Sequence, residues 1–480
     1  MIQRQFFSTG IFLLALAGAL EWSAVAAPAQ SPVSITFDPR QTGAVIAPDY
    51  LGLSFEMQRV LPDASGRHLF SPSNRRLLAT FKILGIKNLR VGGNTADRPS
   101  VPVPTKADVD LLFAFARAAG VKVIYTLRLN ESDPQAAARM ADYLLRHYSR
   151  QLDCLAIGNE PNVYFKSFDS YLADWKIFAA QITAPNHSPG APLCAPGVSP
   201  GHEKWSAQFA QDGAVSRRLR LITQHDYPGG DARKVKDPAA ARDKILSPAM
   251  EEHYAKFAEG FVPTVLSNGL PFRLEEANSF YDGGAENVSD TFASALWALD
   301  YLWWWAAHGA AGVNFHTGDQ VATAEKNKPC RYASFWTSPR GYHIHPIGYA
   351  EKMFSLGAQG RLVALTLTNP DRLNLVAYAA RDERKTLRLT LINREHGPGG
   401  RSAEVTLKTG FHNARARVIF LTAPGGDISA KNGVTLGGAE IQDDATWRGR
   451  WTSLSPARGG ETFLLELPAA TAALVEFRAR

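Results

Sequence analysis

Cysteine is scarce, with only Cys154, Cys194 and Cys330 in 480 residues. An odd number rules out a fully paired disulfide framework, and the spacing fits no zinc pattern. Cys154 and Cys194 fall inside apolar strand-like runs, where a free thiol behaves as a small buried hydrophobe, and free thiols are the expectation for both. Long apolar runs are missing too. Ile11–Leu20 is stopped by Glu21, well short of the roughly 20 residues a bilayer span requires. Ser294–Ala307 is short and carries Asp300. Clusters of Lys and Arg interleaved with aromatics, the footprint of a nucleic-acid binder, are absent. The net charge of +7 favours anionic partners but is spread over scattered residues such as Arg217, Arg218 and Arg220. Gly92-Gly93-Asn94 lacks the GxGxxG spacing of a phosphate cradle and reads as a tight strand exit. The expectation is therefore no nucleic-acid partner, no metal and no cofactor.

At the start, Arg4, the apolar run Ile11–Leu20 and the small residues Ala24-Val25-Ala26 read as a secretory signal over residues 1–26. This predicts a secreted or periplasmic protein beginning near Ala27, with no membrane contact once the signal is removed. The full chain is 45% hydrophobic and 20% charged, as in ordinary globular proteins. Its length accommodates a barrel of about 250 residues or more and a second domain.

Eight short apolar runs alternate with helical segments: Leu51–Glu56, Asn88–Gly92, Lys122–Leu127, Cys154–Gly158, Leu193–Gly197, Leu219–Gln224, Phe272–Glu276 and Gly312–His316. That alternation predicts a closed α/β architecture, a (β/α)8 TIM barrel over residues 48–350. After Tyr349 the pattern changes to strand-like runs punctuated by Gly, Pro, Asn and Asp, such as Leu373–Ala379, Ala416–Thr422 and Ala472–Phe477. This predicts an all-β sandwich over residues 351–480. Within residues 27–47, the run Val33–Phe37 would add a strand to the barrel or to the β domain. The Trp303-Trp304-Trp305 run, inside a helix, reads as core and domain-interface packing.

In such barrels the chemistry sits at the carboxyl ends of the strands. Those ends carry Glu56, Asn159-Glu160, His225-Asp226-Tyr227, Glu275-Glu276 and His316, so ionisable groups gather at one rim. The fourth run ends in Asn159-Glu160-Pro161, where Pro161 helps to terminate the strand. The seventh ends in Glu275-Glu276-Ala277-Asn278, across the barrel mouth. Retaining glycoside cleavage needs two carboxyl groups about 5–5.5 Å apart, and two strand-end glutamates can supply them. Adjacent strand residues face opposite sides, so only one of Glu275 and Glu276 is expected in the mouth.

Gly158-Asn159-Glu160-Pro161-Asn162, Glu276-Ala277-Asn278-Ser279-Phe280-Tyr281-Asp282-Gly283-Gly284 and Gly312-Val313-Asn314-Phe315-His316 together resemble glycoside hydrolase family 79, which holds β-glucuronidases and heparanases. The resemblance runs through nearly the whole chain after residue 26. It implies Glu160 as acid/base and Glu276 as nucleophile, with Glu275 facing outward. It also implies a substrate carboxylate held by Tyr281, a Gly283 backbone N–H and Tyr332, although Ser334 stands where family members often have proline. Asn159, Glu56, His225, Tyr227 and His316 complete the expected substrate-binding set. The implied partner is a glycan or glycoside containing glucuronic acid, attacked in exo fashion. An endo-acting, heparanase-like enzyme would need a basic cleft, for which Arg233, Lys234 and Lys236 are the available group, read here as a solvated loop. A non-catalytic carbohydrate-binding barrel would usually have lost one carboxylate, and both are present.

Overall fold

The computed structural model describes residues 30–322, 327–410, 414–457 and 461–478; the expected signal segment lies outside them. Strand β1 (Gln30–Val45) precedes eight strands, β2 (Leu51–Glu56), β3 (Asn88–Gly92), β4 (Lys122–Leu127), β5 (Leu152–Ile157), β6 (Leu193–Val198), β7 (Leu219–Asp226), β8 (Phe272–Ala277) and β9 (Gly312–His316). These eight close into a barrel in chain order, and β9 returns to β2 through Leu51 opposite Val313 and Leu53 opposite Phe315. Every pairing is parallel, because a helical crossover separates each strand from the next. The helices have local start and stop signals: Lys106–Ala119 opens on a Thr105/Asp108 capping box and stops at Gly120 in the left-handed conformation.

The barrel interior is mixed. At its lower end Arg273 donates to Asn314 (2.6 Å), Asn314 to Asn88 (2.9 Å) and Asn88 to Asp153 (3.0 Å), so these four buried side chains are linked in one network. Beside this network lies an apolar cluster of Ile124, Ala156, Leu221, Cys154 and Cys194. The two cysteines are joined as a disulfide with Cα atoms 5.9 Å apart, which corrects the expectation of free thiols; Cys330 is free and buried. Each cysteine alone looks like a small core residue. The parallel pairing of the consecutive strands β5 and β6 brings together thiols 40 residues apart in sequence.

The C-terminal domain is a ten-stranded sheet that folds over on itself, nine strands forming one hydrogen-bonded path and the short strand Thr452–Leu454 pairing beside it. Phe463, in the strand Thr462–Leu467 at one end, packs on Phe477 in Thr471–Arg478 near the other end, with ring centroids 5.4 Å apart. The layers of this sandwich share one core, with Val33, Ile35 and Phe37 of β1 packed against Leu389, Val405 and Phe477. β1 thus belongs to this sheet, between Arg361–Thr368 and Ser402–Lys408, and not to the barrel.

The helix Phe292–Ala307 joins the two domains, and nearly all of it is buried. Trp303 stacks on Tyr378 at 5.7 Å. Asp300 accepts from the Tyr378 hydroxyl and from Arg394, both at 2.7 Å, while Arg394 also reaches Glu251 (2.6 Å). A buried ion pair is costly to desolvate unless further hydrogen bonds satisfy it. Here both partners have them, and removing either would leave a buried charge across the interface. Among the described residues no helix is long and apolar enough to cross a membrane.

Candidate active site

The fourth barrel strand, β5, does not simply stop. Gly158 and Glu160 both take positive φ (84° and 44°), and the Glu160 N–H donates to the Gly197 carbonyl (3.0 Å). A non-glycine residue in the left-handed region is held there by its surroundings. Asp97 supplies part of the clamp, accepting from the Asn159 N–H (2.6 Å) and from the Tyr164 hydroxyl (2.8 Å). Asn159 is thereby turned inward, where its side-chain oxygen takes a hydrogen bond from Arg90. The Glu160 side chain, 16% exposed, shares a 3.0 Å hydrogen bond with His225 Nδ1.

Across the mouth, Glu276 is more enclosed. Arg90 donates to its Oε2, the Tyr227 hydroxyl donates to Oε1 at 2.8 Å, and His316 Nδ1 lies 3.7 Å away. Burial alone would raise the Glu276 pKa, but His316, His225, Arg90 and the Tyr227 hydrogen bond outweigh it and hold the carboxyl well below the usual range. Glu276 is therefore an anion at any ordinary pH. Burial opposes charge on His225 as well, yet the carboxylates Glu276, Glu160 and Glu275 push its pKa up to about 9.

One oxygen of Glu160, one of Glu276 and a nitrogen of His225 lie within 4.8 Å of one another, a spacing that would suit a metal ion. The donor set fits one poorly: Arg90 already pairs with Glu276, and the carboxylates around His225 favour its protonated form over a metal-binding one. The arrangement instead offers an ionised carboxylate facing a second, partly exposed one.

The other expected residues fall in two groups. Glu56 is buried, accepting from Thr95 N–H (2.8 Å) and standing 3.8 Å from His316 Nε2. A Cβ on Gly93 would sit 2.6 Å from that carboxyl, so the tight exit at Gly92-Gly93-Asn94 makes room for Glu56. Tyr332 is buried, its ring 6.2 Å from Tyr227 and 6.0 Å from His316. These residues join Asn159, Glu160, His225, Tyr227, Glu276 and His316 in one cluster. Tyr281 and Gly283 lie at its edge: Tyr281 is 38% exposed and meets Tyr227 edge-on at 6.3 Å, while Gly283, with φ 87°, turns the loop and accepts from Arg331 N–H (2.6 Å).

Glu275 does not face outward as expected. The β7–β8 register slips so that Gln224 pairs with Leu274 and His225 with Glu276, leaving Glu275 as an extra residue. Such a bulge breaks strict alternation, and Glu275 is buried 3.8 Å from His225 Nε2. Sequence reasoning also missed Arg90 and Asp97. Arg90 did carry a signal, a charged residue in the middle of the apolar run Asn88–Gly92; Asp97, in a loop, carried none.

A closed (β/α)8 barrel with paired carboxylates at its mouth and a trailing β domain is the arrangement that known proteins can be compared with. Residues 377–474 match the glycosyl hydrolase family 79 C-terminal beta domain. A β-glucuronidase of Aspergillus niger is 23% identical over 283 residues, covering 48% of this chain and 50% of that protein, so the chain spans about half the length of this curated relative. Among solved structures, a 4-O-α-L-rhamnosyl-β-D-glucuronidase from Fusarium oxysporum aligns with a TM-score of 0.71 at 20% identity, covering 93% of this chain and 99% of that one. A family 51 arabinofuranosidase from Xanthomonas axonopodis pv. citri aligns with a TM-score of 0.68 at 15% identity, covering 94% and 100%. These likenesses bear out the fold and the resemblance to glycoside hydrolase family 79.

Proposed function

We propose that this chain is a retaining, exo-acting β-glucuronidase, with Glu276 as nucleophile and Glu160 as acid/base. The observation that carries the assignment is the unequal setting of the two carboxylates, Glu276 charge-paired and buried, Glu160 partly exposed and bonded to a single imidazole. Their closest approach, within 4.8 Å, favours the short carboxyl separation of retaining enzymes over the roughly 6.5–9.5 Å of inverting ones. In the first step Glu276 forms a bond to the anomeric carbon as the glycosidic C–O bond breaks. Its electron pair leaves on the aglycone oxygen, which takes the proton of Glu160. In the second step Glu160 removes a proton from water, the water oxygen bonds to the anomeric carbon, and the Glu276 ester is released. The double inversion restores the β configuration.

The uronate assignment rests on the β-glucuronidase relatives and on the Tyr281–Gly284 loop, where Tyr281, Gly283 and Tyr332 are the proposed partners of the substrate carboxylate. An endo reading has one observation in its favour, a groove of about 1180 Å³ beside the mouth that presents Arg59, Arg67, His68 and Arg76. Against it, Arg67 is paired with Asp63 (3.5 Å), His68 with Asp108 (2.7 Å) and Arg59 with Asp319 (3.8 Å), while Arg233 pairs with Asp231 (2.9 Å). Export to a secreted or periplasmic location is proposed from residues 1–26 and agrees with the Cys154–Cys194 disulfide; the N-terminal sequence of protein recovered outside the cytoplasm tests it.

The functional test is hydrolysis of aryl β-glucuronide, β-glucoside and β-xyloside, with NMR of the first-formed sugar. Preferred cleavage of the glucuronide with β product appearing first supports the proposal. An α product first would overturn the retaining mechanism, and shortening of internal heparan-type chains would overturn exo action.

A further inference from the structure

Glu275 has no place in the proposed mechanism, yet it is buried almost completely inside the barrel. Among the described residues, neither of its oxygens has a hydrogen-bond partner, and neither does His225 Nε2. These unpartnered groups face each other at 3.8 Å. Gly197 gives them room: a Cβ there would stand 2.6 Å from Glu275 Oε1 and 3.6 Å from His225 Nε2. The other imidazole nitrogen, Nδ1, is 3.0 Å from Glu160 Oε1. The result is a row of carboxylate, imidazole and carboxylate running from the barrel interior to the mouth. An isolated buried carboxylate is costly, and Glu275 recovers that cost only through a cationic or donating neighbour.

We propose that Glu275 is a positioning residue that acts through His225: it holds a proton on Nε2 and so leaves Nδ1 to share one proton with Glu160. This rests on the assignment of Glu160 as acid/base. Two arrangements then interconvert with no change in proton count. In one, neutral His225 accepts from the Glu160 carboxylic acid; in the other, imidazolium donates to the Glu160 carboxylate. Without a charge at Glu275 the Nε2 proton has no anchor, and the pair gives up its shared proton at lower pH. The groups facing His225 are Glu160 from the exit of β5 and Glu275 and Glu276 from β8, with Arg90 of β3 and Tyr227 bonded to Glu276. The raised pKa of His225 agrees with this charge balance.

Glu275→Gln keeps the shape and removes the charge. On an alkyl β-glucuronide, whose poor leaving group needs the acid, the basic limb of kcat/KM against pH should move down by about one unit, a roughly tenfold loss on that limb. On a nitrophenyl glucuronide the loss should be far smaller, and Glu275→Asp should restore part of the limb. An equal loss for both substrates at every pH, with the limb unmoved, would show a merely structural residue and overturn the proposal. An independent readout is the titration of His225 by NMR in protein carrying 13C at histidine Cε1, assigned by loss of the signal in His225→Asn. A midpoint lower in Glu275→Gln than in the wild type supports the proposal, and an unchanged midpoint overturns it. Wild-type protein that cleaves no glycoside would overturn the proposed function instead, and the NMR titration would then decide the Glu275–His225 pairing alone.

Discussion

The exits of β5 and β8 present the same side chain in opposite settings. Glu276 leaves a bulged strand into a cage of Arg90, Tyr227 and His316 and is 9% exposed. Glu160 leaves through a left-handed turn anchored to Gly197, is 16% exposed and has His225 as its hydrogen-bond partner. A carboxylate bound by fixed cations can attack carbon but surrenders no proton near neutrality. One tied to an imidazole that itself exchanges a proton can act as acid and then as base. Roles on a barrel rim thus follow from what surrounds each glutamate, not from its strand-end position.

The sharpest way to break this contrast is Glu276→Gln. Turnover should fall by more than about 10^4-fold, and a 2-fluoro-glucuronide should no longer label the protein; a label found on Glu275 in the wild type would show that the roles of the adjacent residues are exchanged. Next comes Glu160→Ala. Loss of a general acid should slow alkyl glucuronides by about 10^2–10^4-fold, while an activated aryl glucuronide keeps its fast first step and stalls at the second. Added azide should restore turnover and give a β-glycosyl azide. An α-azide would reverse the assignment.

How much of this could be read before folding depends on the range of the interaction. Leu51–Glu56, Asn88–Gly92, Lys122–Leu127 and Gly312–His316 are strands with those same limits, because a local apolar run bounded by polar exits is enough to define them. Glu160 and Glu276 were legible for the same reason, each being the polar end of such a run. The Cys154–Cys194 bond and the Arg90–Glu276 pair depend on which strands become neighbours or face each other across a closed barrel. Glu275 was misplaced because period-two alternation holds only where the ladder is regular, and the slip beside His225 leaves no mark in composition.

Tyr227→Phe sharpens the contrast from the Glu276 side. The lost hydroxyl is a donor to a buried carboxylate, worth on the order of 1.5–3 kcal/mol, or roughly ten- to a hundredfold in rate. As the proposed nucleophile, Glu276 would take part in every first step, so the loss should be similar for good and poor leaving groups. A Tyr227→Phe effect confined to poor leaving groups would place the tyrosine with Glu160 instead.

The smallest expected effect belongs to Tyr281, and it tests whether recognition is separate from the chemistry of either glutamate. Tyr281 is 38% exposed, its backbone pairs with the Asp231 segment, and its ring meets the edge of Tyr227. A hydroxyl in that position competes with water for the substrate carboxylate, so removing it should cost about 0.5–1.5 kcal/mol, a few-fold to about tenfold in kcat/KM for a glucuronide. A β-glucoside has no carboxylate to lose and should be cleaved by Tyr281→Phe almost as before. The glucuronide-to-glucoside ratio is therefore the quantity to measure. If both substrates slow equally, Tyr281 acts by supporting Tyr227, and through it Glu276, so that the loop would belong to the nucleophile's cage and uronate recognition would have to lie with Gly283 and Tyr332.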